Sequence, residues 1–474
     1  MGDTASRQRA TVDARLRRRL DAALRRARSL GCPVIASHTV GLPKGSDPTA
    51  MVIAARAPDE PWFCLEQPDR HSSVLAALGA VAELTAAGPR RFAEIGAQWR
   101  ALVSDAVAEP VDGPPGAGLA AVGGFAHAPD GATSPRWDGF PSASLHVPAL
   151  AVARREERVA LTVNLSVAPD DTLEGLEQRA LTQLARLRPA RLPLFDPAPT
   201  GAYRVLSPMP PSHYEEAVAR AVARIRAGEL EKVVLAREVE VHAPRDHDAP
   251  AVIGLLRDAY PSCFVFAVGR GPATFLAASP ELLIRREGQR ASTVALAGSA
   301  RRSADPAVDD HLGEQLLQSE KDREENAIVA RRIARALRPH AVWVTAAPEP
   351  SLVRVANIQH LATPIRAQLA QPLDAIALAG LLHPTPAVGG EPGDVAARMI
   401  PALEGLDRGW YAGAVGWIDA TGDGEFSVAL RCALLRGATA HLYAGCGIVR
   451  DSDPAAELAE TEVKLGALLP VLSG

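Results

Sequence analysis

The sequence predicts an α+β protein built on largely antiparallel sheets. Three observations lead there. Helical and strand-like segments occur in clusters rather than in strict alternation. The segments WYAGAVGWID and GEFSVALRCAL flank Asp423-Gly424, a hairpin signal. Apolar residues make up 47% and charged residues 22% of the 474, the balance of an ordinary globular protein.

Taken in order, residues 7–30 read as a basic helix with Val12, Leu16, Leu20, Leu24 and Leu30 along one side, ended by Gly31. A nucleic-acid or membrane-surface arm is one reading. Aspartates interrupt the basic run, which favours a helix docked on the domain with a solvated outer face. GPPGAG (113–118) and RPARLPLFDPAPTGA (188–202) are loops, the second either a linker or a surface loop. Residues 130–165 read as strands separated by turns. A helix over 213–230 carries Ala217, Val218, Ala221, Val222 and Ile225 on one face, with Gly228 near its end. Residues 231–241 then switch to β-branched types, and strands recur at 263–268 and 281–286. One long helix fills 309–338. The last helix starts at Asp453-Pro454, an N-cap followed by proline at the first helical position.

The totals exclude several classes. A net charge of −4 argues against wholesale polyanion binding, so no nucleic-acid partner is expected. Five cysteines without a C-x-x-C pair suit free thiols in a reducing compartment. No apolar run reaches the ~18 residues of a membrane span, and the charged N-terminus lacks a signal-peptide core. A cytoplasmic protein without membrane contact is the expectation. Only four of the 51 basic residues are lysines: Lys44, Lys232, Lys321 and Lys464. Arginine cannot be deprotonated in a protein, whereas a lysine can act as a base, so each lysine marks a place where arginine was not used.

Five constellations could carry chemistry. Lys232 opens a strand and shares a pleated face with Val234 and Ala236. Desolvation there would favour a neutral lysine fit for general-base work, and a strand-end lysine reaching solvent is the alternative. Ser279-Pro280-Glu281 puts a carboxylate at the mouth of a strand, either an acid raised by burial or a surface turn. Asp322 and Glu325 share one helix face, as do Glu457 and Glu460, and such carboxylates can hold Mg²⁺. Lys321 stands four before Glu325, and Lys464 four after Glu460, so surface ion pairs explain the spacing equally well. AGCGIV (444–449) resembles an anion-binding turn but lacks a full G-x-G-x-x-G pattern. Arg431 could clamp a carboxylate. Asp419-x-Thr421-x-Asp423-Gly424 imitates an EF-hand opening, yet Leu430 stands at the twelfth position, which rules it out.

In order, EKVVLAR, ASPELLIRR, ALAGSARR, SEKDREENAIV, LHPTPAVGGEP, RGWYAGAVGW, GEFSVALRCA and AGCGIVRDSDPAAELAETEVKL resemble the signature blocks of chorismate-utilising enzymes. That family includes isochorismate synthases, salicylate synthases and the large subunits of anthranilate and aminodeoxychorismate synthases. The blocks span roughly 200–470. GGFAHAP, WDGFPSASLHVPAL, EQPDRHSSVLAALGAVAEL and RRFAEIGAQWRAL resemble the N-terminal half of isochorismate synthases, back to about residue 60; residues 1–30 fall outside the likeness.

The resemblance implies one large domain over 31–474, with two facing sheets and helices packed outside, its halves being 31–200 and 201–474. It implies Lys232 as base, Glu281 as acid, and Glu325 and Glu460 as Mg²⁺ ligands, with Asp322 and Glu457 behind them. Substrate-binding positions would be Leu296, Ala297, Gly298, Ser299, His360, Tyr411, Arg431, Gly445, Cys446, Gly447 and Lys464. ALAG, with Leu296 and Ala297, favours water over ammonia as nucleophile, so no amidotransferase subunit is expected. Two departures stand out: Ser299 replaces the usual threonine, and Asn326 stands where many members carry histidine. The implied activity is isochorismate synthesis from chorismate. The rivals are salicylate synthesis, with pyruvate elimination, and a non-catalytic chorismate-binding protein.

Overall fold

The computed structural model describes residues 2–196 and 201–474, with side chains from residue 14 onward. Two large antiparallel sheets, of twelve and ten strands, carry the chain among the described residues. Both interleave strands from the two halves. In the larger sheet Trp62–Gln67 pairs with Phe264–Arg270. In the smaller one Ala120–Phe125 pairs with Ala414–Asp419. Chain segments on either side of the proline-rich stretch are therefore hydrogen-bonded neighbours. Residues 188–196 of that stretch have no regular structure, and 197–200 lie outside the described residues.

The sheets face each other across one apolar core. Phe63, Phe266 and Phe275 of the larger sheet pack in the same cluster as Phe125, Ile284 and Phe426 of the smaller. Aromatic contacts fill that core: Phe275 meets Trp410 and Trp137, and Phe125 meets Phe426 within the smaller sheet, with ring centroids 5.5–6.3 Å apart. Helices cover the outer faces. The N-terminal helix Gly2–Leu30 buries Leu16, Leu20, Ala23, Leu24 and Ala27 against the larger sheet and leaves Leu30 exposed. Its arginines pair outward, Arg17 with Glu177 at 2.8 Å and Arg26 with Asp105 at 3.2 Å. That is the docked arrangement. No helix of the described residues is long and apolar enough to cross a membrane. All five cysteines are free thiols, and only Cys32 is exposed.

The element reading differs from the structure at one place that matters. The single helix expected over 309–338 is two, Pro306–Gln318 and Glu320–Leu337. Ser319 sits between them with extended backbone (φ −66°, ψ 113°), and its hydroxyl accepts from Asp322 N–H. Continuous apolar periodicity hid the break, because a serine N-cap competes locally with helix continuation. The break aims the first two turns of the second helix, with Asp322 and Glu325, at the sheets.

Replacing Ser319 with Ala removes that cap and should cost about 1 kcal/mol, read as a lower denaturation midpoint with unchanged slope. An unchanged midpoint would show that packing alone sets the break.

Candidate active site

The site begins with two neighbouring strands of the larger sheet. Lys232–His242, rich in β-branched residues, pairs with Thr439–Ile448, Val234 opposite Gly447 and Ala236 opposite Gly445. On this inner face the glycines provide clearance. A Cβ at Gly447 would stand 2.1 Å from Glu325 Oε1 and 2.7 Å from Lys232 Cε. One at Gly445 would stand 2.7 Å from Leu235 O and 2.9 Å from Tyr411 Oη. Into that space runs Lys232, wholly buried, with Nζ 2.9 Å from Glu325 Oε1. The contact lacks hydrogen-bond geometry, and Nζ has no hydrogen-bond partner among the described residues.

Two helices bring the carboxylates. Glu320–Leu337 supplies Asp322 and Glu325. Pro454–Leu465, capped by Asp453, supplies Glu457, Glu460 and Lys464. Lys464 Nζ binds Glu460 Oε1 at 2.6 Å and Gly445 O at 2.8 Å. Ser299 Oγ donates to Glu460 Oε1 at 2.6 Å, so the hydroxyl that survives in place of threonine is in use. Lys321 pairs with Glu457 of the other helix at 2.8 Å rather than with Glu325 of its own.

These elements line a narrow cleft with a cavity volume of about 60 Å³. Glu325, Glu460, Glu281, Arg431, His360 and Tyr411 line it, together with Leu296, Ala297, Gly298, Ser299, Gly445, Gly447 and Lys464. Four of the singled-out residues lie behind its wall. Lys232 sits beneath Glu325 and Gly447. Asp322 and Glu457 stand behind Glu325 and Glu460. The Cys446 side chain turns to the opposite face of its strand, where Sγ meets Glu457 O at 3.4 Å, because alternation along a strand sends it away from its glycine neighbours. Its thiol is therefore not a lining group.

The electrostatics divide the acids. Burial pushes Glu281 up to about 8, against the pull of Lys232, Arg431 and Lys464, so it is largely protonated at neutral pH. Burial also pushes Glu460 upward, but Lys464, the Ser299 hydroxyl and Lys321 overcome it and hold the group at about 2. Two glutamates in one cleft thus rest in opposite protonation states. Burial, reinforced by Arg431, pushes His360 down to about 3. Its neutral ring accepts from Arg431 Nη2 at 3.1 Å through Nε2, leaving Nδ1–H toward Gly298 O at 3.4 Å. Arg431 Nε is buried without a partner.

Gly298 holds φ +79°, in a bulge of the strand Arg290–Arg301 where the register with Ile358–Leu369 shifts between Leu296 and Ser299. Asn326 staples that bulge. Its Nδ2 donates to Ala295 O and Leu361 O at 3.1 and 3.0 Å, and Oδ1 accepts from Thr363 Oγ1 at 2.6 Å. The residue that departs from the usual histidine points away from Glu325 and leaves the carboxylates undisturbed.

Tyr443 also lines the cleft; its buried hydroxyl completes no hydrogen bond of good geometry among the described residues, and Arg136 lies close enough to act on it. The sequence carried a usable signal for it, since Tyr443 stands two residues before Gly445 on the same strand face. Pro280, Ala387, Val388 and Leu430 line the cleft as well. No spacing rule marks them.

Comparison with known proteins gives one consistent picture. The family described as "Chorismate binding enzyme" matches residues 22–473. The chain is 39% identical over 459 residues to the "Salicylate biosynthesis isochorismate synthase" of Pseudomonas aeruginosa, covering 97% of this chain and 94% of that one. It is 35% identical to "Isochorismate synthase MenF" of Bacillus subtilis over 74% of each chain. Among solved structures it resembles the menaquinone-specific isochorismate synthase MenF from Escherichia coli, with a TM-score of 0.76, 27% identity, and coverage of 96% of this chain and 99% of that one.

Substituting Gly447 with Ala would drive a methyl into Glu325 and Lys232, on a strand held in register by Val233–His242. Turnover should fall by about 10²-fold or more while the circular dichroism spectrum stays that of the parent. Parent-like turnover would show that the two side chains have room to part.

Proposed function

The chain belongs to the chorismate-binding enzymes, and from that premise we propose that it is an isochorismate synthase, isomerising chorismate with the help of Mg²⁺. The observation that carries the reading is the combination of a largely protonated Glu281 on the cleft wall with the buried Lys232 amine just beneath it, which meets Glu325 but completes no hydrogen bond among the described residues.

Chorismate is a dicarboxylate with a hydroxyl at C4. Unpartnered Arg431 Nε suits one carboxylate, and Tyr411 and Tyr443 place hydroxyls along the same wall. Lys232 takes a proton from water as the water oxygen bonds to C2. The ring double bonds shift, the C4–O bond breaks, and Glu281 gives its proton to the departing hydroxyl, which leaves as water. One water enters and one leaves, so no oxidant or reductant is needed. Leu296 and Ala297 wall the nucleophile's side of the cleft, which is how we account for water over ammonia.

A divalent cation fits the donor set. Glu325 and Glu460 present hard carboxylate oxygens at the cleft wall, and Mg²⁺ needs only one or two such ligands with substrate oxygens completing its shell. Bound there, it would neutralise the ring carboxylate and draw electron density from the diene. Asp322 and Glu457 would orient its waters. Lys232 Nζ lies 2.9 Å from Glu325 Oε1, so a cation held by Glu325 would share that carboxylate with the base.

The test is direct: purified protein, chorismate and Mg²⁺, with products separated by chromatography. Isochorismate without pyruvate is expected, and anthranilate on adding ammonia, or no turnover, would contradict the reading. Pyruvate release would turn it into salicylate synthesis. Lys232→Ala and Glu281→Gln should each lower kcat by roughly 10²–10⁴-fold. Because the acid must be protonated, kcat/KM should fall as pH rises through about 8. A rate that stays level well above that pH would remove Glu281 from the acid's role.

A further inference from the structure

The strand that carries Lys232 has a buried edge that no other strand covers. Its first edge pairs with Thr439–Ile448 from Val233 to His242. On the other edge Gly390–Glu391 meets only Lys232 and Val233, and Arg204–Leu206 meets only Glu240 to His242. Residues 234–239 lie between with no strand neighbour. Buried backbone groups need partners, so something else must supply them.

Val234 N–H donates to Gly389 O of a turn at 2.7 Å, and two side chains serve further groups along this edge. Ala236 N–H donates to Glu404 Oε1 at 2.7 Å, and Arg408 Nη2 donates to Val234 O at 2.9 Å. Glu404 and Arg408 also hold each other, Nε to Oε2 at 2.9 Å, and each is 4% exposed. The guanidinium reaches further. Its Nη1 donates to Val388 O at 2.8 Å and meets His127 Nε2 at 3.1 Å, while Cζ lies 5.7 Å from the Tyr411 ring centroid. Val234, Val388 and Tyr411 all line the cleft, whereas Glu404 and Arg408 do not. One buried ion pair is therefore the common anchor of three separate walls: the lysine strand, the turn at residues 384–389 and the loop before the strand Ala414–Asp419.

We infer that the Glu404–Arg408 pair positions the cleft for reaction, fixing the lysine strand against Tyr411 and Val388 without touching substrate. The inference rests on the proposed isomerisation. The chemistry explains why arginine is needed. Its donors spread over a rigid plane and reach Glu404, Val234 O and Val388 O at once, whereas a lysine offers all its donors from one point. Misplacement of about 1 Å can cost as much as 10²-fold in rate, so a loosened anchor should appear in kcat.

Arg408→Lys keeps the charge beside Glu404 and gives up the span. Assayed well below its own melting midpoint, it should show kcat lowered by about tenfold or more with KM for chorismate within about threefold. Tyr214→Phe is the control. Tyr214 Oη donates to Leu235 O of the same strand at 3.2 Å and lies outside the cleft lining. Its loss should lower the melting midpoint and leave kcat within about twofold. If Arg408→Lys does not fold, Glu404→Gln, which keeps an oxygen for Ala236 N–H, should show the same split in milder form. A kcat within about twofold of the parent in the folded variant would overturn the positioning role. No turnover by the parent enzyme would instead remove the proposed isomerisation, which keeps the two failures apart.

Discussion

Lysine amino groups seated among carboxylates between two sheets set the terms for everything else in the cleft. Lys232 lies 2.9 Å from Glu325, Lys321 2.8 Å from Glu457 and Lys464 2.6 Å from Glu460. Each lysine of the signature-bearing half thus faces one carboxylate of the candidate metal set. Taking such groups from water is expensive, and removing one partner of a buried pair costs about 3–5 kcal/mol. The same crowding separates the proton states of Glu281 and Glu460, because the lysines crowd one acid and reach the other across a greater burial penalty. Stability and acid–base chemistry draw on one set of charges.

The fold exists to make that crowding possible. Two helices deliver carboxylates from outside the sheets, and the strands beneath must open a gap for them. Gly445 and Gly447 open it, and a methyl at either position would collide with backbone or with a charged side chain. Because Lys232 stands in an interrupted sheet edge, its strand depends on Glu404 and Arg408 for hydrogen bonds that a neighbouring strand would otherwise give.

Much of this was legible from residue order. The α+β class followed from clustered elements and the Asp423-Gly424 turn, and that turn is the hairpin between Ala414–Asp419 and Gly424–Val428. The AGCGIV turn points to Gly445 and Gly447 as places of close approach to the backbone, and in the structure Glu325, Lys232 and Tyr411 crowd them at the cleft wall. Helix spacing allows Lys321 an ion pair with Glu325 as one alternative, and the structure gives Lys321 to Glu457 instead. Spacing along one helix is blind to a second helix, and Glu325 was already taken by a lysine from a strand. The break at Ser319 was hidden because apolar periodicity runs through it. Only Glu404, four residues before Arg408, is within local reach; the other partners of Arg408 lie 20, 174 and 281 residues away in the chain.

The claim at the centre is that water enters at C2 as the C4 hydroxyl leaves, with Lys232 and Glu281 acting on the two oxygens. Turnover in ¹⁸O-labelled water, followed by mass spectrometry of the product, tests it most directly. One labelled oxygen per isochorismate is the expected result. Isochorismate formed without label would mean that the hydroxyl migrates within the substrate, and it would contradict the assignment of base and acid to these two residues.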